Sequence, residues 1–154
     1  MNVIRFIHFL GMSLWIGGGM AAMIMAVTSR GESVEIRAGV FRLLARVQSS
    51  AIGLGALLTL GSGILLTMRL MGTQGADAVM AAPRIWVMQS AGLIAGLLIL
   101  LVSVPTAIKM RMLATPTQNG ELLPEFERYR KRQAVVSSVA GVLALIALFA
   151  GAIL

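Results

Sequence analysis

The chain contains no cysteine and only one histidine among its 154 residues. The absence of cysteine excludes a disulfide framework, a thiolate metal site, an iron–sulfur cluster and covalent haem attachment through a C-x-x-C-H motif. Acidic residues are also scarce, six against 13 Lys and Arg, and none of the six falls inside a long apolar run. The sequence has no phosphate-binding loop and no G-x-G-x-x-G motif, so it gives no direct sign of nucleotide chemistry.

Charged residues make up only 12% of the chain, whereas hydrophobic residues make up 58%. Soluble domains are about 25% charged, so this composition predicts an integral membrane protein. The net charge of +7 is concentrated between the apolar runs. This pattern indicates a role at the membrane interface and in membrane orientation, and it argues against nucleic-acid binding.

Four apolar runs approach the roughly 20 residues that a membrane-spanning helix needs. They cover about residues 3–27, 49–70, 85–108 and 134–154. They predict an all-α fold in which residues 1–154 form a single four-helix membrane bundle. Pro105 is expected to kink the third span. The first connection predicts an amphipathic helix that lies at the interface or continues into the second span, because basic and apolar residues alternate at Arg37, Val40, Phe41, Arg42, Leu44 and Arg46.

The basic residues are distributed unevenly between the two ends of the predicted bundle. Ten of the 13 lie in the first and third connections, and only Arg5, Arg69 and Arg84 lie on the opposite side. The positive-inside rule then places both termini on the outer, periplasmic side of a bacterial inner membrane. In this orientation His8 lies one or two turns below the outer surface.

The first span carries the residues that best indicate a functional site. At about 100° per residue on a helix, one stripe contains Arg5, His8, Met12, Trp15 and Gly19. An ionisable residue inside a membrane is a functional-site hypothesis by default, and a neutral imidazole binds haem iron or copper. The structural alternative is a histidine that only bonds a backbone carbonyl.

A haem on His8 would find suitable neighbours in the same span. Gly11, Gly18 and Gly19 are predicted to leave room for the flat face of the macrocycle. Arg5 either pairs with a haem propionate or extends to the lipid headgroups. Trp15 is too deep for an interfacial aromatic, so it is expected to pack against a cofactor or a partner helix.

The start of the third span is predicted to lie at the level of His8. Trp86 is either a site residue or an interfacial aromatic, and the Gln89 amide needs a hydrogen-bond partner, for which a bond across helices is the simplest choice. Met12 and Met88 are candidate sixth ligands of a haem iron. The chain has eleven methionines, which either form a soft Cu(I) site with His8 or fill apolar space.

Three stretches of the chain share their pattern with one known group of membrane proteins. They are HFLGMSLWIGG, LLTLGSGILLTM and PRIWVMQSAGL. These stretches resemble the four-helix proteins of the HemJ-type protoporphyrinogen oxidase and CopD-type copper-resistance group, which share an H-x6-W-x-G core. The resemblance implies b-type haem on His8. The third-span lysine of that group corresponds to Gln89, so this chain lacks a residue expected to matter for porphyrinogen oxidation. The activity stays open, and the implied haem binding does not depend on that lysine.

The expected function is therefore membrane-embedded haem binding, with a role in electron transfer or in haem and porphyrin handling, alone or in a larger complex. Two alternatives remain open. One is Cu(I) binding or transport of the CopD type. The other is a cofactor-free subunit whose small-residue helix faces dock against copies of itself or other membrane subunits. The lipid bilayer is the expected surrounding in all three cases.

Overall fold

A computed structural model of the chain describes residues 3–115 and 122–152. Four long helices, called the first to the fourth below, cover Val3–Gly31, Val34–Gln74, Pro83–Leu113 and Pro124–Ala152, and a short helix covers Ala76–Met80. No strand occurs within the described residues. Each long helix is long and apolar enough to cross a membrane, which confirms the predictions of an all-α fold and of four helices that could span a membrane. Leu154, the predicted end of the last span, lies outside the described residues.

The second helix begins much earlier than the predicted span at residue 49. It starts at Val34, where the Ser33 hydroxyl accepts a hydrogen bond from the Ile36 amide. The predicted amphipathic segment is therefore continuous with the membrane span. With 41 residues, the second helix is about 61 Å long at 1.5 Å per residue. A hydrocarbon core is only about 30 Å thick, so this helix is longer than one crossing requires.

Neighbouring helices run antiparallel. His8 of the first helix lies beside Gly63 of the second, whereas Gly18 lies beside Ile52. The third and fourth helices pair in the same manner, through contacts of Met88 with Gly151 and of Ser103 with Ser137. One end of the bundle therefore holds His8, Ser62 and Gln89, and is called the His8 end. The other holds Arg42, Met110 and Phe126, and is called the arginine-rich end.

Two hydrophobic clusters hold the bundle together. The central core joins all four helices through Trp15, Ile52, Ala56, Ala95, Ile99, Ala140 and Ala144. A second cluster at the arginine-rich end contains Phe41, Leu44, Met110, Ala114 and Phe126. Its aromatic rings, Phe41 and Phe126, meet edge to face at a centroid distance of 5.4 Å. The apolar face of the amphipathic segment is therefore buried on the third and fourth helices.

Two of the three π-helical turns in the long helices contain or adjoin residues that disturb the α-helical hydrogen-bond pattern, a proline in one case and two serines in the other. The turn Leu98–Ser103 lies directly before Pro105, which has no N–H for the Leu101 carbonyl and whose ring crowds that carbonyl. The third helix continues past Pro105 after this wider turn. In the turn Gln48–Ile52, the hydroxyls of Ser49 and Ser50 donate to carbonyls one turn back. The remaining π-helical turn is Ser13–Gly17.

Glycines allow the first two helices to approach with their backbones nearly in contact. A Cβ placed on Gly55 would lie 2.7 Å from the Trp15 nitrogen and 2.8 Å from the Gly11 oxygen. A Cβ on Gly11 would lie 2.7 Å from the Thr59 hydroxyl oxygen. Small residues permit such close packing between membrane helices. Because backbone atoms cannot move aside as a flexible side chain can, neither position accepts even a methyl group without a shift of the helices.

We expect Gly55→Ala to destabilise the protein by about 1–3 kcal/mol, the usual cost of overpacking a well-packed site. Gly61→Ala is the matched control on the same helix, because a Cβ there meets nothing within 4 Å. Thermal unfolding of the two variants in the same detergent measures the difference. Equal unfolding temperatures for both variants and the wild type would contradict the close contact.

Candidate functional site

The His8 imidazole lies between the first and second helices and is half-buried. Its Nδ1 atom is 3.1 Å from the Thr59 carbonyl oxygen and 2.9 Å from the Ser62 hydroxyl oxygen. Gly63 makes room for the ring, because a Cβ at that position would lie 3.3 Å from the His8 Cε1 atom. The ring is therefore fixed against one short stretch of the second helix.

The partners of Nδ1 determine which ring nitrogen carries the proton. The Thr59 carbonyl can only accept a hydrogen bond. The Ser62 hydroxyl donates to the carbonyls of its own helix, at 2.5 Å from the Leu58 oxygen and 3.3 Å from the Thr59 oxygen, so it is left to accept from His8. Nδ1 must then be the donor. In the neutral ring, Nε2 consequently keeps its lone pair for another ligand.

The side of His8 that faces away from the second helix has little protein around it. The segment Val3–Met12 packs mainly on the second helix. Among the described residues, neither hydrophobic cluster includes a residue from this segment, and no hydrogen bond reaches His8 Nε2. The free nitrogen therefore belongs to a segment that lies outside both hydrophobic clusters.

The other predicted site residues of the first helix differ in exposure and in what they contact. Arg5 is exposed and Met12 is half-buried. Trp15 is only 5% exposed and packs in the central core, which agrees with the expected contact to a partner helix. Gly11 and Gly18 face the second helix, where a Cβ on Gly18 would lie 3.0 Å from Ile52 Cγ1. The space beside Gly11 and Gly18 is therefore occupied by the second helix, whereas a Cβ on Gly19 would meet no atom within 4 Å.

The predicted site residues of the third helix point in different directions. Trp86 is 52% exposed, and its indole N–H donates to the Met80 carbonyl oxygen at 2.7 Å. The Met88 sulfur lies against the fourth helix, 3.0 Å from the position of a Cβ on Gly151. Gln89 instead faces the second helix, and its side-chain nitrogen donates to the Thr67 hydroxyl at 3.1 Å. The prediction of a hydrogen bond across helices for Gln89 is confirmed.

The sequence interpretation missed a stripe of hydroxyl residues on the second helix. Thr59 and Ser62, three residues apart, receive His8 on one side of this helix, and Thr67, five residues after Ser62, receives Gln89 on the other. The Thr67 hydroxyl also donates to the Gly63 carbonyl oxygen at 3.0 Å. The sequence feature that could have revealed these residues is the recurrence of small polar residues within the second apolar run. The stripe connects the first and third helices at the His8 end.

A second polar layer lies deeper, toward the arginine-rich end. The Gln133 amide nitrogen donates to the Ser103 hydroxyl at 2.6 Å and to the Ser137 hydroxyl at 3.1 Å, and Ser103 is fully buried. Within the described residues, the buried Gln48 Nε2 and Gln133 Oε1 atoms have no partner. The layer of Ser103, Gln133 and Ser137 contains no titratable group and lies on the third and fourth helices, away from His8.

The bond between Gln89 and Thr67 should contribute measurably to stability. In a double-mutant cycle of Thr67→Val and Gln89→Leu, we expect a coupling energy of about 0.5–1.7 kcal/mol, the range for polar contacts between membrane helices. Thr73→Val is the control partner, because its hydroxyl bonds only its own helix. Unfolding in mixed detergent measures each variant. Purely additive effects of the two substitutions would rule out the bond.

The geometry supports a single-histidine site. His8 offers one nitrogen with a free lone pair, held in place by a hydrogen bond on the opposite nitrogen. Among the described residues, no three His, Asp or Glu side chains come together as a metal-binding group. The arrangement therefore suits a cofactor that needs one protein ligand from this chain. Comparisons of the chain with protein-family models, with curated proteins and with solved structures find no match.

Proposed function

We propose that this protein binds b-type haem in the membrane, with His8 Nε2 as an axial ligand of the iron. The observation that carries the proposal is the hydrogen bond from His8 Nδ1 to the Thr59 carbonyl at 3.1 Å. Histidines that bind metals usually donate their other N–H to a carbonyl, carboxylate or water, which fixes the ring and raises its basicity. Thr59 and Ser62 provide this support before any ligand binds.

The surroundings of His8 suit the shape and charge of haem. The macrocycle has apolar faces, and the neighbouring Phe6, Phe9 and Leu10 side chains are exposed, as expected for a surface in contact with lipid or an apolar cofactor. The exposed Arg5 guanidinium lies one turn toward the end of the same helix. It is placed to form a charge-assisted hydrogen bond with a propionate. Bound haem would supply one-electron redox chemistry at this position.

The sequence resemblance to the HemJ and CopD group supports the same ligand. Gln89 is neutral and uses its amide nitrogen to bond Thr67, so it does not supply the positive charge of a lysine. We therefore favour electron transfer or haem and porphyrin handling over porphyrinogen oxidation. Met88 packs on the fourth helix, so water, Met12 or a residue of another subunit would be the candidates for a second ligand of bound haem.

The haem proposal predicts a Soret band in the purified protein that sharpens and shifts on reduction with dithionite. His8→Gly should lose most of this absorption, because the chain has no other histidine. Added imidazole should restore it, since the small ligand can occupy the vacated space. Ile24→Ala is the matched control, because Ile24 is 57% exposed on the same helix and lies about four turns away from His8. Absorption spectra of the three proteins, expressed with haem available, test the proposal.

A colourless wild-type protein would overturn the haem proposal. Stoichiometric copper in that colourless protein, lost in His8→Gly, would favour Cu(I) binding with methionine sulfur as the other ligand. A protein with neither haem nor metal would favour a cofactor-free subunit. Haem retained at full occupancy in His8→Gly without imidazole would also contradict ligation by His8.

We further propose that the protein lies in a bacterial inner membrane with both termini on the outer side. The concentration of ten basic residues in the first and third connections supports this orientation. An alkaline phosphatase fusion at the C-terminus should be active, since that enzyme needs an oxidising compartment. A fusion after Arg111 should be inactive. The reverse pattern of activity would place His8 near the cytoplasmic surface.

A further inference from the structure

A groove runs along the lipid-facing side of the second helix, near its π-helical turn. Its floor is formed by Ser49, Ser50, Gly53 and Leu57, and its walls by Leu14 of the first helix and Val104 of the third. The cavity has a volume of about 710 Å³. The floor contains the small residues Ser49, Ser50, Ala51 and Gly53, and their short side chains do not fill the groove.

The groove presents hydrocarbon and almost no free hydrogen-bonding capacity. The Ser49 hydroxyl donates to the Ala45 and Arg46 carbonyls, and the Ser50 hydroxyl donates to the Arg46 carbonyl. Leu54 and Leu57 are 50% and 57% exposed and form the apolar part nearer the middle of the span. An occupant of this groove therefore needs an apolar body and gains nothing from polar groups along it.

The dimensions of the groove indicate a single hydrocarbon chain. From residue 49 to residue 57 the floor is about 12 Å long at 1.5 Å per residue. A membrane-spanning helix is about 30 Å long and about 10 Å wide with its side chains, so the groove covers less than half of such a partner. A flexible acyl chain fits a short and irregular space of this kind.

The end of the groove nearest the arginine-rich end carries the positive charge of Arg46. Arg46 is exposed and lies one turn beyond Ser50. Within the described residues, the ion pair at this end joins Arg130 to Glu127, and Arg42 donates to the Ala114 carbonyl oxygen. The Arg46 guanidinium makes neither kind of bond with any residue in 3–115 or 122–152. It stands where the apolar floor ends, at the level expected for lipid headgroups.

We propose that this groove is a binding site for an anionic phospholipid. One acyl chain lies along Ser50, Gly53 and Leu57, and the phosphate group accepts hydrogen bonds from the Arg46 guanidinium. The guanidinium provides the preference for a net negative headgroup. The site is on the second helix near the arginine-rich end, remote from His8, so it does not depend on haem binding.

Native mass spectrometry of the detergent-purified protein tests the proposal. The probes are phosphatidylglycerol and phosphatidylcholine with identical acyl chains, added in equal amounts after removal of co-purified lipid. We expect the wild type to retain one phosphatidylglycerol with about a fivefold preference, the size expected for one basic residue near the membrane surface. Arg46→Gln should abolish the preference while retention of phosphatidylcholine is unchanged.

Two further variants separate the groove from a general attraction of charges. Ser50→Phe should reduce retention of both lipids, because its ring occupies the groove. Arg128→Gln is the matched control, since Arg128 is an exposed arginine at the same end but lies on the fourth helix, which does not contribute to the groove, and the preference should persist. Equal retention of both lipids by the wild type would overturn the proposal, as would an undiminished preference in Arg46→Gln or a free fatty acid as the retained molecule.

Discussion

The close contact of the first and second helices at Gly11 and Gly55 is the constraint on which the candidate site depends. At this point a single added Cβ would lie less than 3 Å from backbone atoms of the opposite helix. The short separation brings the His8 ring within hydrogen-bond distance of the Thr59 carbonyl, one turn further along. Backbone packing thereby determines the orientation of the imidazole, its protonated nitrogen and the direction of its lone pair.

The two ends of the bundle differ in how they are held together. The arginine-rich end has an aromatic and aliphatic cluster, and the buried polar layer around Ser103 lies between it and the central core. The His8 end relies on glycine contacts and on a few hydroxyl bonds, such as that of Thr67 with Gln89. Binding regions are often found in the less stable parts of a structure. Haem bound as proposed would add contacts at the His8 end, which has no aromatic cluster among the described residues.

Hydropathy alone predicted the fold class and the number of spans, because apolar length is a strong requirement of the membrane. It did not predict the start of the second helix at Val34, since backbone hydrogen bonds continue through charged residues that end an apolar run. The sequence indicated that the His8 imidazole and the Gln89 amide, as polar groups within apolar spans, need partners. Their partners, Thr59 and Thr67, were not evident, because these depend on the relative rotation and depth of two helices. Gly11 was recognised as a source of space, but a helix occupies that space.

The length of the second helix has a mechanical consequence. This single helix carries Phe41 and Arg42 at one end and Ser62 and Thr67 toward the other, with Gly55 near its middle. A tilt of about 5° around Gly55 would displace each end of a helix about 61 Å long by about 3 Å in opposite directions. In such a rigid tilt, the glycine contact would be the point around which the second helix turns. Any force on the arginine-rich segment would be transmitted to the hydroxyl stripe that holds His8.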